Sequence, residues 1–152
     1  MAGAKTIDVR GVDHIGIRVK DAATAMRFYG VLGFAFVSKA PDDDVTIIRN
    51  RQGVEINLIH NSNDANAGKN ILMDVPVKYP GYTHVALRVA SVADTVAALK
   101  DAGIVITQGP VKFGEDGNVS VFVRDPDRNV VELRGRDEDS GSLGAAPYRS
   151  EN

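Results

Sequence analysis

A chain of 152 residues with a net charge of −2 has room for one domain with a real core, or for two half-size modules sharing one. Its 43% hydrophobic and 25% charged residues are those of an ordinary globular protein, and the near-neutral charge gives no reason to expect nucleic acid or an anionic membrane as partner. Cysteine is absent, which excludes disulfides and thiolate metal sites, and with no apolar leader or membrane-length apolar run the expected location is cytoplasmic.

Residues Lys5 to Arg10 alternate weakly, as a short lead-in strand does. Val12-Asp13-His14-Ile15-Gly16-Ile17-Arg18-Val19 alternates strictly, with an apolar back and a front of His14, Gly16 and Arg18. Asp21 caps a helix through Leu32, whose Ala25, Met26, Phe28, Tyr29 and Leu32 keep helical spacing, and Gly33 ends it. Strands are expected at Phe34 to Ser38, Val45 to Arg49 and Val54 to Ile59, separated by turn-forming sequence.

From His60 to Gly81 the chain is polar and irregular, and His60 itself is expected at the surface. The order then repeats. Tyr82-Thr83-His84-Val85-Ala86-Leu87-Arg88-Val89 copies the first strand seventy residues on, and a helix from about Ser91 to Asp101 ends at Gly103. Strands follow near Ile104–Thr107, Val119–Arg124 and Asn129–Arg134, with loops at Gly109-Pro110 and Gly114 to Asn118. The expected organisation is a first βαβββ module at 8–60, a linker at 61–81, a second βαβββ module at 82–135 and a flexible tail at 136–152. Neither half can bury its sheet alone, so they make one domain.

Each module also ends in a strand bearing a Glu opposite an apolar face: Val54, Ile56 and Leu58 oppose Glu55, and Val131 and Leu133 oppose Glu132. Glu55 and Glu132 therefore point the same way as His14 and His84. Two imidazoles and two carboxylates suit a divalent ion such as Ni²⁺, Zn²⁺, Co²⁺, Mn²⁺ or Fe²⁺, with positions left for water or substrate. Arg18 and Arg88, on the same face, are candidate anion clamps, and Asn57, one strand step from Glu55, is a candidate for holding substrate. The Gly114–Gly117 loop lacks the Lys-Ser/Thr of a phosphate loop.

Asp13-His14-Ile15-Gly16-Ile17, Phe28-Tyr29-Gly30-Val31-Leu32-Gly33-Phe34, Thr83-His84-Val85-Ala86-Leu87 and Asp125 to Leu133 together resemble the vicinal oxygen chelate superfamily, which includes glyoxalase I, bleomycin-resistance proteins and extradiol dioxygenases. The resemblance runs from about Gly11 to Arg134. It implies an α+β fold of two βαβββ modules forming an open, curled mixed β-sheet around a metal. His14, Glu55, His84 and Glu132 match the ligand set of glyoxalase I, with Glu132 resembling its catalytic base and Glu55 the second candidate. Extradiol dioxygenases match only at His14, His84 and Glu132, and bleomycin-resistance-like members lack the ligands. Arg18 matches a glutathione-contacting Arg. Ile59 stands where an Asn is expected four residues past the second ligand, and Pro80 supplies no second Arg, which counts against glutathione. Arg128 replaces the usual Gly of the last motif.

The resemblance implies a metal-dependent lyase or isomerase of glyoxalase I type, similar to a lactoylglutathione lyase. Such an enzyme transfers a proton at a carbon next to an oxygen that the ion polarises. The alternatives are an epimerase of methylmalonyl-CoA type, an extradiol dioxygenase and a non-catalytic binder of a small molecule or antibiotic. A homodimer is expected by the same analogy.

Overall fold

The computed structural model describes residues 3–63, 65–137 and 143–149. The first module runs β1 (Ile15–Arg18), α1 (Ala22–Val31), β2 (Ala35–Lys39), β3 (Val45–Arg49) and β4 (Glu55–Ile59). The second runs β5 (His84–Arg88), α2 (Val92–Asp101), β6 (Ile106–Lys112), β7 (Asn118–Arg124) and β8 (Val130–Arg136), followed by a two-residue β9 (Ala146–Pro147). The sheets are ordered β1-β4-β3-β2 and β5-β8-β7-β6-β9. β1 lies parallel to β4 and β5 parallel to β8, while the hairpins are antiparallel, so each sheet is mixed. The two expected modules and their open, mixed sheets are thus present.

Both helices start where a side chain replaces the missing turn of backbone acceptors: Asp21 accepts from the Thr24 N–H and Ser91 from the Asp94 N–H. One apolar cluster joins the backs of both sheets to both helices, uniting Ile17, Ile56, Leu58, Phe28 and Tyr29 with Leu99, Val121 and Leu133. A second, smaller cluster lies on the front of the second module, where Val111, Phe122 and Val130 pack with Met73 and Phe113. Among the described residues the first module has no such cover, and all of β2 is exposed.

The modules are joined at the turn between β7 and β8. Asp125, 3% exposed, accepts from the Tyr29 hydroxyl at 2.9 Å, from the N–H groups of Asp127 and Asn129, and from the Asn129 amide. Burial raises the Asp125 pKa against the lowering effect of Asn129, and burial beside Asp125 raises that of Tyr29 well above the usual phenol value. Asn129 Nδ2 also donates to the Arg18 carbonyl, and the Lys20 N–H to Asp127.

The same turn holds the linker. Arg128 grips Asp74 through Nε to Oδ2 at 2.6 Å and Nη2 to Oδ1 at 3.0 Å, and Arg124 reaches Asp74 Oδ1 at 3.0 Å. Arg128 adopts φ +65°, a left-handed conformation that favours glycine and costs most side chains of order 1 kcal/mol or more. The two-pronged ion pair is what the arginine contributes at that strained position.

Several sequence expectations are corrected. Residues Lys5 to Arg10 form no strand. Gly109-Pro110 lies inside β6 rather than in a loop. There, Gly109 has φ +96° and its absent Cβ would sit 2.5 Å from the Ser120 carbonyl, so the close approach of β6 to β7 admits only glycine. His60 is half-buried and bonds Thr46 Oγ1 at 3.3 Å. Within the expected flexible tail, Ala146–Pro147 pairs with Val111 and Lys112 of β6; residues 138–142 and 150–152 of that tail lie outside the described residues.

Candidate metal centre

The side chains singled out in the sequence fall into two groups. In the second module, His84 Nε2 lies 2.9 Å from Glu132 Oε2, and Ser120 Oγ donates to Glu132 Oε1 at 2.5 Å. Glu132 is 6% exposed, and Phe122, directly opposite it in the β7–β8 ladder, stands edge-on to the His84 ring with centroids 5.8 Å apart. Arg134 reaches Ser120 Oγ at 3.2 Å and is anchored by Asp116. Ser120, Phe122 and Arg134 were not picked out from the sequence. The ladder pairing of β7 with β8 is what brings Phe122 opposite Glu132 and Ser120 opposite Arg134.

In the first module, Asp13, His14 and Glu55 have ligand atoms within 4.8 Å of one another. Glu55 is engaged by Arg49 at 2.5 Å, its cross-strand partner. Imidazole nitrogen with carboxylate oxygen is a donor set that fits a divalent ion of the first transition row. His84 and Glu132 do not join the Asp13–His14–Glu55 group, so the four expected ligands form two pairs and not one closed cage. Both histidines nevertheless line one open cleft of about 1080 Å³ between β1 and β5.

Arg18 lines this cleft and its Nε donates to Asn61 Oδ1 at 3.0 Å; the linker from Asn61 to Leu72 forms the far wall. Arg88 lines a different cleft, of about 640 Å³, with Asn50, Val54 and Leu99. The structure therefore does not bring the two expected anion clamps together. Asn57 is half-buried on the front of β4, and its Oδ1 is buried with no hydrogen-bond partner.

Each histidine is oriented by the residue before it. Asp13 Oδ1 lies 2.6 Å from His14 Nδ1, and Thr83 Oγ1 lies 2.8 Å from His84 Nδ1. A carboxylate only accepts, so the His14 Nδ1–H donates to Asp13 and Nε2 is the nitrogen left for another partner; the Thr83 hydroxyl can donate or accept. Substituting such orienting partners typically costs about 10–100-fold in metal affinity. Asp13→Asn and Thr83→Val are each expected to weaken Zn²⁺ or Co²⁺ binding within that range, and Thr83→Ser to restore it. Competition titration against a chromogenic chelator measures this. Unchanged affinity in both variants would reject the orienting role.

Comparison with known proteins supplies the context. The family model described as the Glyoxalase/Bleomycin resistance protein/Dioxygenase superfamily matches residues 11–133. The chain is similar to the virulence protein STM3117 of Salmonella typhimurium, with 31% identity over 129 residues, 80% of this chain and 81% of that protein. It is also similar to the glyoxalase domain-containing protein RDO1 of Mycosarcoma maydis, with 30% identity over 132 residues, 85% of this chain and 70% of that one. Among solved structures, an integron cassette protein from the mobile metagenome of V. cholerae, VCH_CASS1, aligns with a TM-score of 0.63 and 25% identity over 86% of this chain and 98% of the other.

Proposed function

Since the chain belongs to the glyoxalase/bleomycin resistance protein/dioxygenase superfamily, we propose that it is a metal-dependent lyase or isomerase of glyoxalase I type. The observation that carries this reading is the buried Glu132 carboxylate, held between His84 Nε2 and the Ser120 hydroxyl on the front of the second sheet. His14, His84 and Glu132, with a further donor from the front of β4, would hold a divalent ion. When bound, the ion supplies Lewis-acid stabilisation of negative charge on a substrate oxygen.

The protein's own groups do the rest. Glu132 takes a proton from the substrate carbon and returns it to the neighbouring one, as a positioned carboxylate base does. Ser120 fixes one of its oxygens, so the base has one geometry. Phe122 walls one side of the carboxylate and keeps water from competing for the proton. Arg18 stands in the cleft as a contact for an anionic part of the substrate.

A second copy of the chain is the expected partner. Val12 and Tyr82, each two residues before a histidine and on its face, are 84% and 98% exposed. A homodimer would cover both beside the candidate site. The expected substrate is a small molecule, and among the described residues no helix is long and apolar enough to cross a membrane.

The reading is tested by elemental analysis of the purified protein, then by incubation with Ni²⁺, Co²⁺, Zn²⁺, Mn²⁺ or Fe²⁺ and the methylglyoxal–glutathione hemithioacetal or other α-hydroxycarbonyls in D₂O. Metal retention with deuterium entering the substrate is expected. Retention without exchange, accompanied by oxygen uptake on catechols, would replace it with the dioxygenase reading. Exchange only with acyl-CoA thioesters would replace it with the epimerase reading, and no metal retention with a binder.

A further inference from the structure

Resting on that reading, we propose that Asn57, and not Glu55, is the β4 residue that faces the metal, and that the site therefore takes a small anionic ligand. The argument begins with the two parallel ladders. Gly16 and Ala86 occupy the same place in the repeat, and Gly16 pairs with Asn57 while Ala86 pairs with Glu132. The next bonds agree. The Val19 N–H donates to the Ile59 carbonyl and the Val89 N–H to the Arg134 carbonyl, both at 2.9 Å.

The turns before β4 and β8 give the same alignment independently. Asn50 Oδ1 accepts from the Val54 N–H as Asp125 Oδ1 accepts from the Asn129 N–H, both at 2.8 Å. The left-handed residue is Gly53 at φ 87° in one turn and Arg128 at φ 65° in the other. All these equivalences place Asn57 at the position of Glu132. The counterpart of Glu55 is Val130, which has no donor atom to offer a metal.

The local chemistry separates the two candidates further. The charge of Glu55 is already matched by Arg49 at 2.5 Å. Asn57 Oδ1 is a buried acceptor without a donor, a state that costs about 1–3 kcal/mol unless something arrives to use it. An amide oxygen is a hard donor of the kind first-row divalent ions accept.

The consequence is a charge count. Two neutral imidazoles, one carboxylate and one amide leave a divalent ion with a net charge of about +1. A second carboxylate would have left it near zero. An uncompensated positive charge in a half-buried cleft, with Arg18 on the same wall, selects an anionic ligand over a neutral one. The chemical class is a small carboxylate or another small oxyanion.

Metal affinity and glycolate binding test this on the full-length protein loaded with Co²⁺, with glycolamide as the neutral counterpart. Both ligands are followed by the cobalt absorption spectrum. Glu55→Gln is expected to leave the Co²⁺ dissociation constant within about threefold, and Asn57→Asp to tighten it about tenfold or more, since ligand charge tunes such sites. Asn57→Asp should also weaken glycolate about tenfold while leaving glycolamide unchanged. Weaker metal binding in Glu55→Gln with no tightening in Asn57→Asp would overturn this proposal alone, as would equal binding of glycolate and glycolamide. A wild-type protein that binds no metal would overturn both this proposal and the reading it rests on.

Discussion

Glu132→Gln should lower turnover by about 10²–10⁴-fold, the range lost when a positioned general base is removed. The substitution keeps the shape of the side chain and lets the Ser120 hydroxyl still donate to the remaining carbonyl oxygen. The opposing edge of Phe122 is unaffected, so secondary structure and melting temperature should stay close to those of the parent. What changes is basicity, because an amide does not take a proton from carbon at neutral pH. Metal affinity should fall as well, because the carboxylate donor of the site is lost. Single-turnover deuterium exchange at saturating metal separates the two effects. Exchange at the parental rate would remove Glu132 from the reaction. Ser120→Ala should have a smaller effect in the same direction, by freeing one oxygen of the base.

The largest effect on stability is expected at the joint between the modules. Asp125→Ala leaves the Tyr29 hydroxyl and the Asp127 and Asn129 N–H groups without their acceptor at a buried site. Stranded buried donors of this kind cost about 1–3 kcal/mol each before relaxation, so a loss of about 3–5 kcal/mol is expected. In a chain of this size that lowers the melting temperature by about 10 °C. A melting temperature within about 2 °C of the parent would show that the joint contributes little.

Asp125 and Asp74 respond to pH in opposite senses. Arg128 holds the Asp74 carboxyl well below its ordinary value, so its stabilisation is present above the unfolded aspartate pKa near 3.8 and is lost as pH falls below it. Burial holds the Asp125 carboxyl above that value. The folded chain therefore keeps this proton to higher pH than the unfolded one. Its contribution is greatest below the unfolded pKa and declines as pH rises through the raised one. Asp74→Asn should flatten the acid limb of a plot of melting temperature against pH, and Asp125→Asn should not.

Much of this architecture is legible in the sequence because the chain repeats itself. The seventy-residue spacing holds from His14 and His84 through both helix caps to Gly33 and Gly103. Beyond Gly103 the longer β6 and β7 stretch the spacing to seventy-five, and alternation alone cannot detect the change. Alternation assigns a face but not a row, so Glu55 and Asn57 are equally good front residues until the ladders are seen. The turn at Asn50 to Val54 carries the missing register, but its Gly53 is matched by Arg128, which hides the likeness. Counted from Asn57, the Asn sought four residues further on is Asn61, the partner of Arg18. The Asp74–Arg128 clasp spans fifty-four residues of chain and leaves no local sequence signal.

The short pairing of Ala146–Pro147 bears on how this chain avoids sticking to itself. It covers the end of β6, where the Tyr148 N–H also donates to the Lys112 carbonyl at 2.8 Å. At the opposite margin, β2 carries a register break between Phe36 and Ser38 and ends in Lys39. A bulge and a terminal lysine are both devices that discourage an incoming strand, and a proline-bearing strap is a third. Both outer rims are thereby guarded against fibre-like growth, while among the described residues β1 and β5 each have a strand on one side only. Backbone-mediated association is steered inward, to the margins that flank the two histidines.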